Sequence, residues 1–205
     1  LMNKKKKFFF FGFGQTAKYF IKELKRSKNK FYFCATNTKK SRLLNFNKMK
    51  FRSFKFKNNN YDKKLLKELQ NADYILISIP PQGKKDLVLN KFGKILKKSN
   101  FKKLIYLSAT SVYGNHDGKW VNEKSITNPT SLNGKARLNS EKSWLSLNSN
   151  KNLPVQIFRL SGIYSNENNI LVRLKSKNVN LINKKDHFFS RIPLIVFPKS
   201  LSLKK

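Results

Sequence analysis

Gly12 and Gly14 stand two residues apart, between the apolar run Phe8-Phe9-Phe10-Phe11 and an amphipathic segment, Lys18 to Lys25. With Ala17 they make the pattern Gly-x-Gly-x-x-Ala, placed where a strand turns into a helix. A dinucleotide pyrophosphate needs that arrangement. Gly12 allows a tight turn, Gly14 lets the backbone approach the phosphates without a Cβ in the way, and Ala17 lets the helix pack closely on the strand. The helix N-terminus adds free N–H groups and a partial positive charge. Metal chemistry has no comparable support, because no Cys, His and carboxylate residues share ligand spacing. His116 and Asp117 are neighbours in a polar loop and read as surface residues, and His187 is isolated.

The elements that would position this turn follow from periodicity. Phe31 to Thr36 reads as a second strand, and Met49 to Phe56 alternates as a third strand near a sheet edge. Asn58, Asn59 and Asn60 mark a loop, and Lys63 to Ala72 carries Leu65, Leu66 and Leu69 at helical spacing. Asp73 to Ile79 is the clearest buried strand, stopped by Pro80-Pro81. Asp86 to Lys98 reads as a helix, Lys103 to Ser108 as a strand, Asn115 to Pro129 as a polar loop, Leu138 to Leu147 as a helix and Pro154 to Leu160 as a strand. Strands alternating with helices in this way predict an α/β fold with a Rossmann-type, doubly wound parallel sheet. In such sheets ligands bind beyond the carboxyl ends of the strands. That places Gly12–Ala17, Thr36–Lys40, Ser78–Pro81, Ser108–Gly114 and Ser161–Tyr164 around one cleft.

Length, charge and cysteine content bound the function. A chain of 205 residues forms one domain with a substantial core. The single cysteine, Cys34, excludes an internal disulfide framework and points to a reducing, cytoplasmic setting. No apolar run approaches a membrane span, and Lys4 to Lys7 followed by Phe8 to Phe11 reads as a buried first strand rather than a secretory signal. The net charge of +35 raises nucleic-acid binding as an alternative role. Against it, the 45 basic residues include only seven arginines, and the lysines are spread along the chain. The charge favours acidic ligands and makes any binding salt-sensitive.

Phe11 to Ala17, the run Leu107-Ser108-Ala109-Thr110-Ser111-Val112-Tyr113-Gly114 and the run Phe158-Arg159-Leu160-Ser161-Gly162-Ile163-Tyr164 together resemble the extended short-chain dehydrogenase/reductase family. Within it the chain looks like an atypical member of the NAD-dependent epimerase/dehydratase branch. Tyr74 to Pro81, Gly118 to Glu123 and Asn128 to Ser131 add to the likeness, which runs from about residue 6 to residue 192. By this resemblance Gly12, Gly14, Gln15 and Thr16 hold the pyrophosphate. The segment Asn37-Thr38-Lys39, which contains no acid, meets the adenosine ribose. Ile79, Pro80, Arg137 and Ser161 complete the cofactor site. An acid after the second strand would bond the ribose hydroxyls of NAD, so its absence favours NADP, with NAD as the alternative. The substrate implied is a small molecule, a sugar or nucleotide-sugar; its identity and the oligomeric state are not readable from the residues.

The catalytic positions depart from the family pattern. Its members use a Tyr-x-x-x-Lys pair, the tyrosine as acid/base and the lysine lowering its pKa, together with a Ser or Thr that bonds the substrate oxygen. Setting Glu141 against the glutamate that commonly follows the pair puts Asn133 at the tyrosine position and Arg137 at the lysine position. The hydroxyl position falls on Ala109, with Ser108 and Thr110 beside it. Arg137 can hold a ribose or phosphate, but Asn133 has no proton to exchange. The departure supports a second reading, a non-catalytic dinucleotide-binding or regulatory protein. Beyond Ile192 the family likeness stops. The expected organisation is therefore a dinucleotide-binding domain over 1–192 with an incomplete substrate lobe, then an atypical basic tail over 193–205. A frameshift is favoured over a naturally compact variant as the origin of that tail.

Overall fold

Four consecutive phenylalanines, Phe8 to Phe11, make a strand that buries both its faces, and the rest of the sheet assembles around it. The computed structural model describes residues 5–27, 30–151, 153–176 and 188–194. In chain order the strands are β1 (Lys6–Phe11), β2 (Phe31–Asn37), β3 (Arg42–Phe46), β4 (Met49–Lys57), β5 (Asn60–Tyr61), β6 (Tyr74–Ile77), β7 (Lys103–Ala109), β8 (Val155–Leu160), β9 (Gly162–Tyr164) and β10 (Arg191–Pro193). The helices are α1 (Gln15–Arg26), α2 (Leu65–Gln70), α3 (Leu87–Leu96), α4 (Leu132–Lys151) and α5 (Ile170–Lys175), with a 3₁₀ turn over Thr110–Val112.

The main sheet runs β3-β4-β2-β1-β6-β7-β8, and β5 pairs with β4. From β4 to β8 every neighbouring pair is parallel; β3 and β5 join β4 antiparallel. The order reverses at β1, so the topological switch point lies between β1 and β6, at the end of the strand that leads into Gly12. This is the Rossmann-type sheet expected from the sequence.

Alternate phenylalanines of β1 serve two cores. Phe8 and Phe10 face α1, packing with Phe20, Ile21, Leu24 and Phe33. Phe9 and Phe11 face α2, α3 and α4, packing with Phe54, Leu65, Phe92 and Trp144 in the same cluster. Each fully buried ring contributes about 1.5–3 kcal/mol relative to exposure.

The sequence reading differs from the structure in three places. The alternation of strands and helices fails between β2 and β4, where the chain forms β3 instead of a helix. Its turn, at Asn47 and Lys48, carries positive φ at both residues, 53° and 62°, which matches the twist of a tight hairpin. Second, the Asn58–Asn60 loop is the turn of another hairpin, with Asn60 and Tyr61 paired to β4. Third, α4 begins at Leu132, six residues before the expected Leu138. The Ser131 hydroxyl accepts from the Gly134 N–H at 3.1 Å and caps that start. A Cβ at Gly134 would lie 2.6 Å from the Ser111 carbonyl oxygen, so only glycine lets the helix approach the end of β7 this closely.

β9 and β10 form a separate parallel pair, and Leu194 is buried, its N–H donating to the Tyr164 carbonyl at 2.9 Å. Pairing thus runs through the boundary expected after Ile192; residues 195–205, most of the expected tail, and His187 lie outside the described residues. Among the described residues no helix is long and apolar enough to cross a membrane.

Candidate functional site

The turn after β1 is held from both sides. Gly12 has φ +93°, a conformation side chains resist, and its N–H donates to the Thr36 hydroxyl of β2 at 2.9 Å. On the other side Ser78, just past β6, donates through both its N–H and its hydroxyl to the Phe11 carbonyl, at 3.0 and 2.9 Å. A Cβ on Gly12 would lie 2.6 Å from the Ser78 hydroxyl and 3.4 Å from an Ile79 side-chain carbon. The two neighbouring strands therefore fix the turn, and the glycine is needed for contact with Ser78.

Gly14 differs. It is exposed with φ −81°, and a Cβ there would meet nothing within 4 Å. It stands at the N-cap of α1, where no side chain bonds the helix N-terminus and no acid occupies the first turn. Gln15 and Thr16, both half-buried, form that first turn, and Ala17 is fully buried under it. Open space at Gly14, beside a helix N-terminus with no side-chain cap at the positive end of a twelve-residue helix, suits an anion. A diphosphate fits it: the glycines clear the approach and the helix supplies donors.

At the end of β2 the side chain of Asn37 is engaged internally. Its amide donates to the Ser53 hydroxyl at 2.7 Å, and its carbonyl accepts from the Lys39 N–H at 2.7 Å. This makes a small turn that leaves Thr38, Lys39 and Lys40 exposed, with no carboxylate in that segment. A separate depression of about 590 Å³ lies at the β4–β5 hairpin, lined by Lys55, Lys57, Asn58, Tyr61 and Lys63. It is open and has no buried polar anchor, which makes it a weaker candidate than the turn at Gly12.

The expected catalytic residues differ in exposure. Ser108 is buried and its hydroxyl has neither a hydrogen-bond partner nor exposed surface. Thr110 is half-buried in the 3₁₀ turn, and Asn133 is exposed on the first turn of α4. Arg137 is half-buried and donates to the Leu107 carbonyl at 3.2 Å, which brings it to the carboxyl end of β7 beside Ser108. Ile79 abuts the Gly12 turn, Pro80 is exposed beside it, and Ser161 links β8 to β9.

Around them lies polar structure the sequence did not reveal. Glu141 of α4 and Arg159 of β8 form a bidentate ion pair, with Nε to carboxylate distances of 3.1 Å and an Nη2 distance of 2.8 Å. The hydrogen bonds that Arg159 donates to Glu141 hold the guanidinium pKa above its ordinary value against the opposing effect of burial. Arg159 also lies over the ring of the buried Tyr113, 4.9 Å from its centroid. Gly114 follows with φ +77°, where a Cβ would strike the Asn128 carbonyl at 1.9 Å. Asp86 caps α3 through Leu89 N–H at 2.9 Å and accepts from the Trp144 indole at 2.8 Å. Sequence signals existed only for parts of these: Asp before an apolar helix, and a charge inside an apolar strand.

His116, half-buried, contacts the Ile126 carbonyl at 3.1 Å, while Asp117 is exposed and bonded to Asn115. Among the described residues no three His, Cys, Asp or Glu side chains are grouped to hold a metal ion.

No family model matches the chain, and no curated protein does. Solved structures do. The chain is similar to a conserved protein of unknown function from Silicibacter pomeroyi, with a TM-score of 0.78 and 25% identity over 97% of this chain and 67% of that one. It is similar to a UDP-glucuronic acid 4-epimerase from Bacillus cereus, solved with UDP-glucuronic acid and NAD, with a TM-score of 0.74 and 17% identity over 97% of this chain and 74% of the other. A dTDP-glucose 4,6-dehydratase from Bacillus anthracis, solved with NAD, gives a TM-score of 0.74 and 14% identity over 97% and 71%. At these identities the epimerase and the dehydratase are neighbours in fold.

Proposed function

We propose that this chain binds a nicotinamide dinucleotide across the carboxyl ends of β1, β2 and β6 and acts, in the manner of epimerases and dehydratases, on a sugar or nucleotide-sugar. The observation that carries the reading is the Gly12–Gly14 turn: a strained glycine locked between Thr36 and Ser78, then an open glycine at an uncapped helix N-terminus. The solved epimerase and dehydratase neighbours with NAD support the same ligand class.

In this reading Gly12, Gly14, Gln15 and Thr16 bond the pyrophosphate, and Asn37, Thr38 and Lys39 meet the adenosine ribose. Lys39 and Lys40 offer charge to an additional ribose phosphate, so NADP is preferred to NAD. Ile79 and Pro80 form the wall beside the turn, and Arg137 and Ser161 reach the nicotinamide half. When bound, the nicotinamide supplies or withdraws a hydride. The chain's own residues bind and orient; proton transfer falls to a hydroxyl near Ala109, Thr110 being more accessible than Ser108.

The exposed Asn133 at the usual acid/base position, whose amide does not serve as an acid or base, favours a second reading, a dinucleotide-binding protein without turnover. Fluorescence titration with NADPH and NADH, followed by hydride-transfer assays over a sugar-nucleotide panel, separates the two. Binding with turnover supports the first, binding without turnover the second, and absence of sub-millimolar binding rejects both.

A further inference from the structure

We propose that Asp86 and Trp144 form a positioning latch that ties the Ser78–Lys85 wall of the cleft to α4, so that the Gly12 turn and the Asn133–Arg137 turn keep one relative geometry. The ligand side of this inference rests on the dinucleotide reading; the link itself does not.

Capping α3 needs one acceptor, and a serine or threonine hydroxyl provides it without charge. Asp86 does more. One carboxylate oxygen takes the Leu89 N–H of α3, and the other takes the Trp144 indole of α4, 58 residues away. The carboxylate is buried, 7% exposed, and burial raises its pKa. Holding a buried carboxylate without an ionic partner carries a desolvation cost that a serine cap would avoid. What the charge adds is reach and strength toward the indole.

Trp144 is fully buried and stacks on Tyr106 of β7, 6.0 Å between centroids. Its helix is already fixed to the sheet, by Arg137 on the Leu107 carbonyl and by Glu141 on Arg159. Asp86 extends that fixed body to α3. The segment leading into Asp86 starts at Ser78 and Ile79, which abut Gly12, and closes on itself through the Gln82–Lys85 bridge. One chain of contacts therefore runs from the dinucleotide turn through the wall to α4. The groups that face Asp86 are the Leu89 and Val88 N–H groups of α3 and Trp144 and Ser140 of α4, with Tyr106 of β7 alongside.

Two variants separate latch from cap. Asp86→Ser keeps a hydroxyl for Leu89 N–H but is too short for the indole; Trp144→Phe keeps an aromatic ring, smaller than the indole, and removes the N–H. Amide hydrogen exchange over 78–85 and the NADPH dissociation constant are the readouts. Losing one hydrogen bond to a charged group predicts about tenfold faster exchange over 78–85, with β2 and β4 unchanged, and about tenfold weaker NADPH binding. The double variant should be no worse than either single one. Parental behaviour in Asp86→Ser, or additive effects in the double variant, would overturn the latch. If the parent chain binds no NADPH the dinucleotide reading fails, and the exchange pattern alone decides for or against the latch.

Discussion

Arg159 and Glu141 meet across the gap between β8 and α4 in a bidentate pair whose carboxylate is 2% exposed and whose guanidinium is 21% exposed. This pair sets α4 against the sheet at the level of Tyr113, over which the guanidinium lies. It anchors the helix that carries Asn133 and Arg137, so its effect on the cleft is through position.

Glu141→Gln should therefore be strongly destabilising. It leaves a half-buried guanidinium without its counter-charge, a loss of about 1–3 kcal/mol, less than the ~3–5 kcal/mol of a fully buried pair. Urea denaturation measures it; a change below about 1 kcal/mol would mean that solvent already satisfies Arg159.

Gly12→Ala should cost stability even without ligand. The residue has φ +93°, and its Cβ would meet the Ser78 hydroxyl at 2.6 Å. Strain of this kind costs about 1–3 kcal/mol. Thermal melting should show the loss, and an unchanged melting temperature would mean the turn relaxes freely.

The elements easiest to read in the sequence were those buried on both faces. β1, β2, β6 and β7 appear as apolar runs because parallel central strands have no solvent side, while β8, at the sheet edge and mostly half-buried, is marked by its apolar residues alone. β3 was invisible: Arg42–Phe46 is an edge strand with Leu43 67% exposed, so no clean alternation marks it. The start of α4 was missed because Leu132, Asn133 and Lys135 are exposed and Gly134 opposes helix formation, while tertiary contact with Ser111 demands it. The glycine turn was legible since local conformation dictates its residues. The Asp86–Trp144 and Glu141–Arg159 pairs were not, because only the folded sheet brings such distant residues together.

Asp86 gives the stability a pH signature. Its folded pKa is raised above the ordinary 3.8, chiefly by burial, so the folded state holds this proton more tightly than the unfolded chain. The associated stability is present below 3.8 and is lost as pH rises through the raised value. Relative to Asp86→Asn, the parent chain should lose stability across that window. Melting curves of both from acid to neutral pH test it; a constant difference would contradict the raised pKa.

Cys34 should be inert in the folded chain. It is 1% exposed, and burial pushes its thiol up to about 11. Native protein should take up almost no thiol reagent at about pH 8, and unfolded protein one equivalent per chain. Rapid native labelling would place the thiol at the surface.

Asn37→Asp should shift cofactor preference. It places a carboxylate at the end of β2, where the Ser53 hydroxyl can donate to it instead of accepting. NADH should gain on NADPH by about tenfold in relative affinity, through the repelled phosphate and the bonded ribose. An unchanged ratio would remove this position from the cofactor site.

In the proposed function, open space at Gly14 receives a diphosphate. Gly14 has φ −81° and nothing within 4 Å of a Cβ, so Gly14→Ala should leave the melting temperature unchanged within a degree or so while intruding on the bound phosphates. Titrating NADPH against the parent chain and Gly14→Ala tests this directly. Sub-millimolar binding by the parent, weakened about tenfold or more in the variant, is the predicted result; equal affinity in the two, or no binding to either, would contradict it.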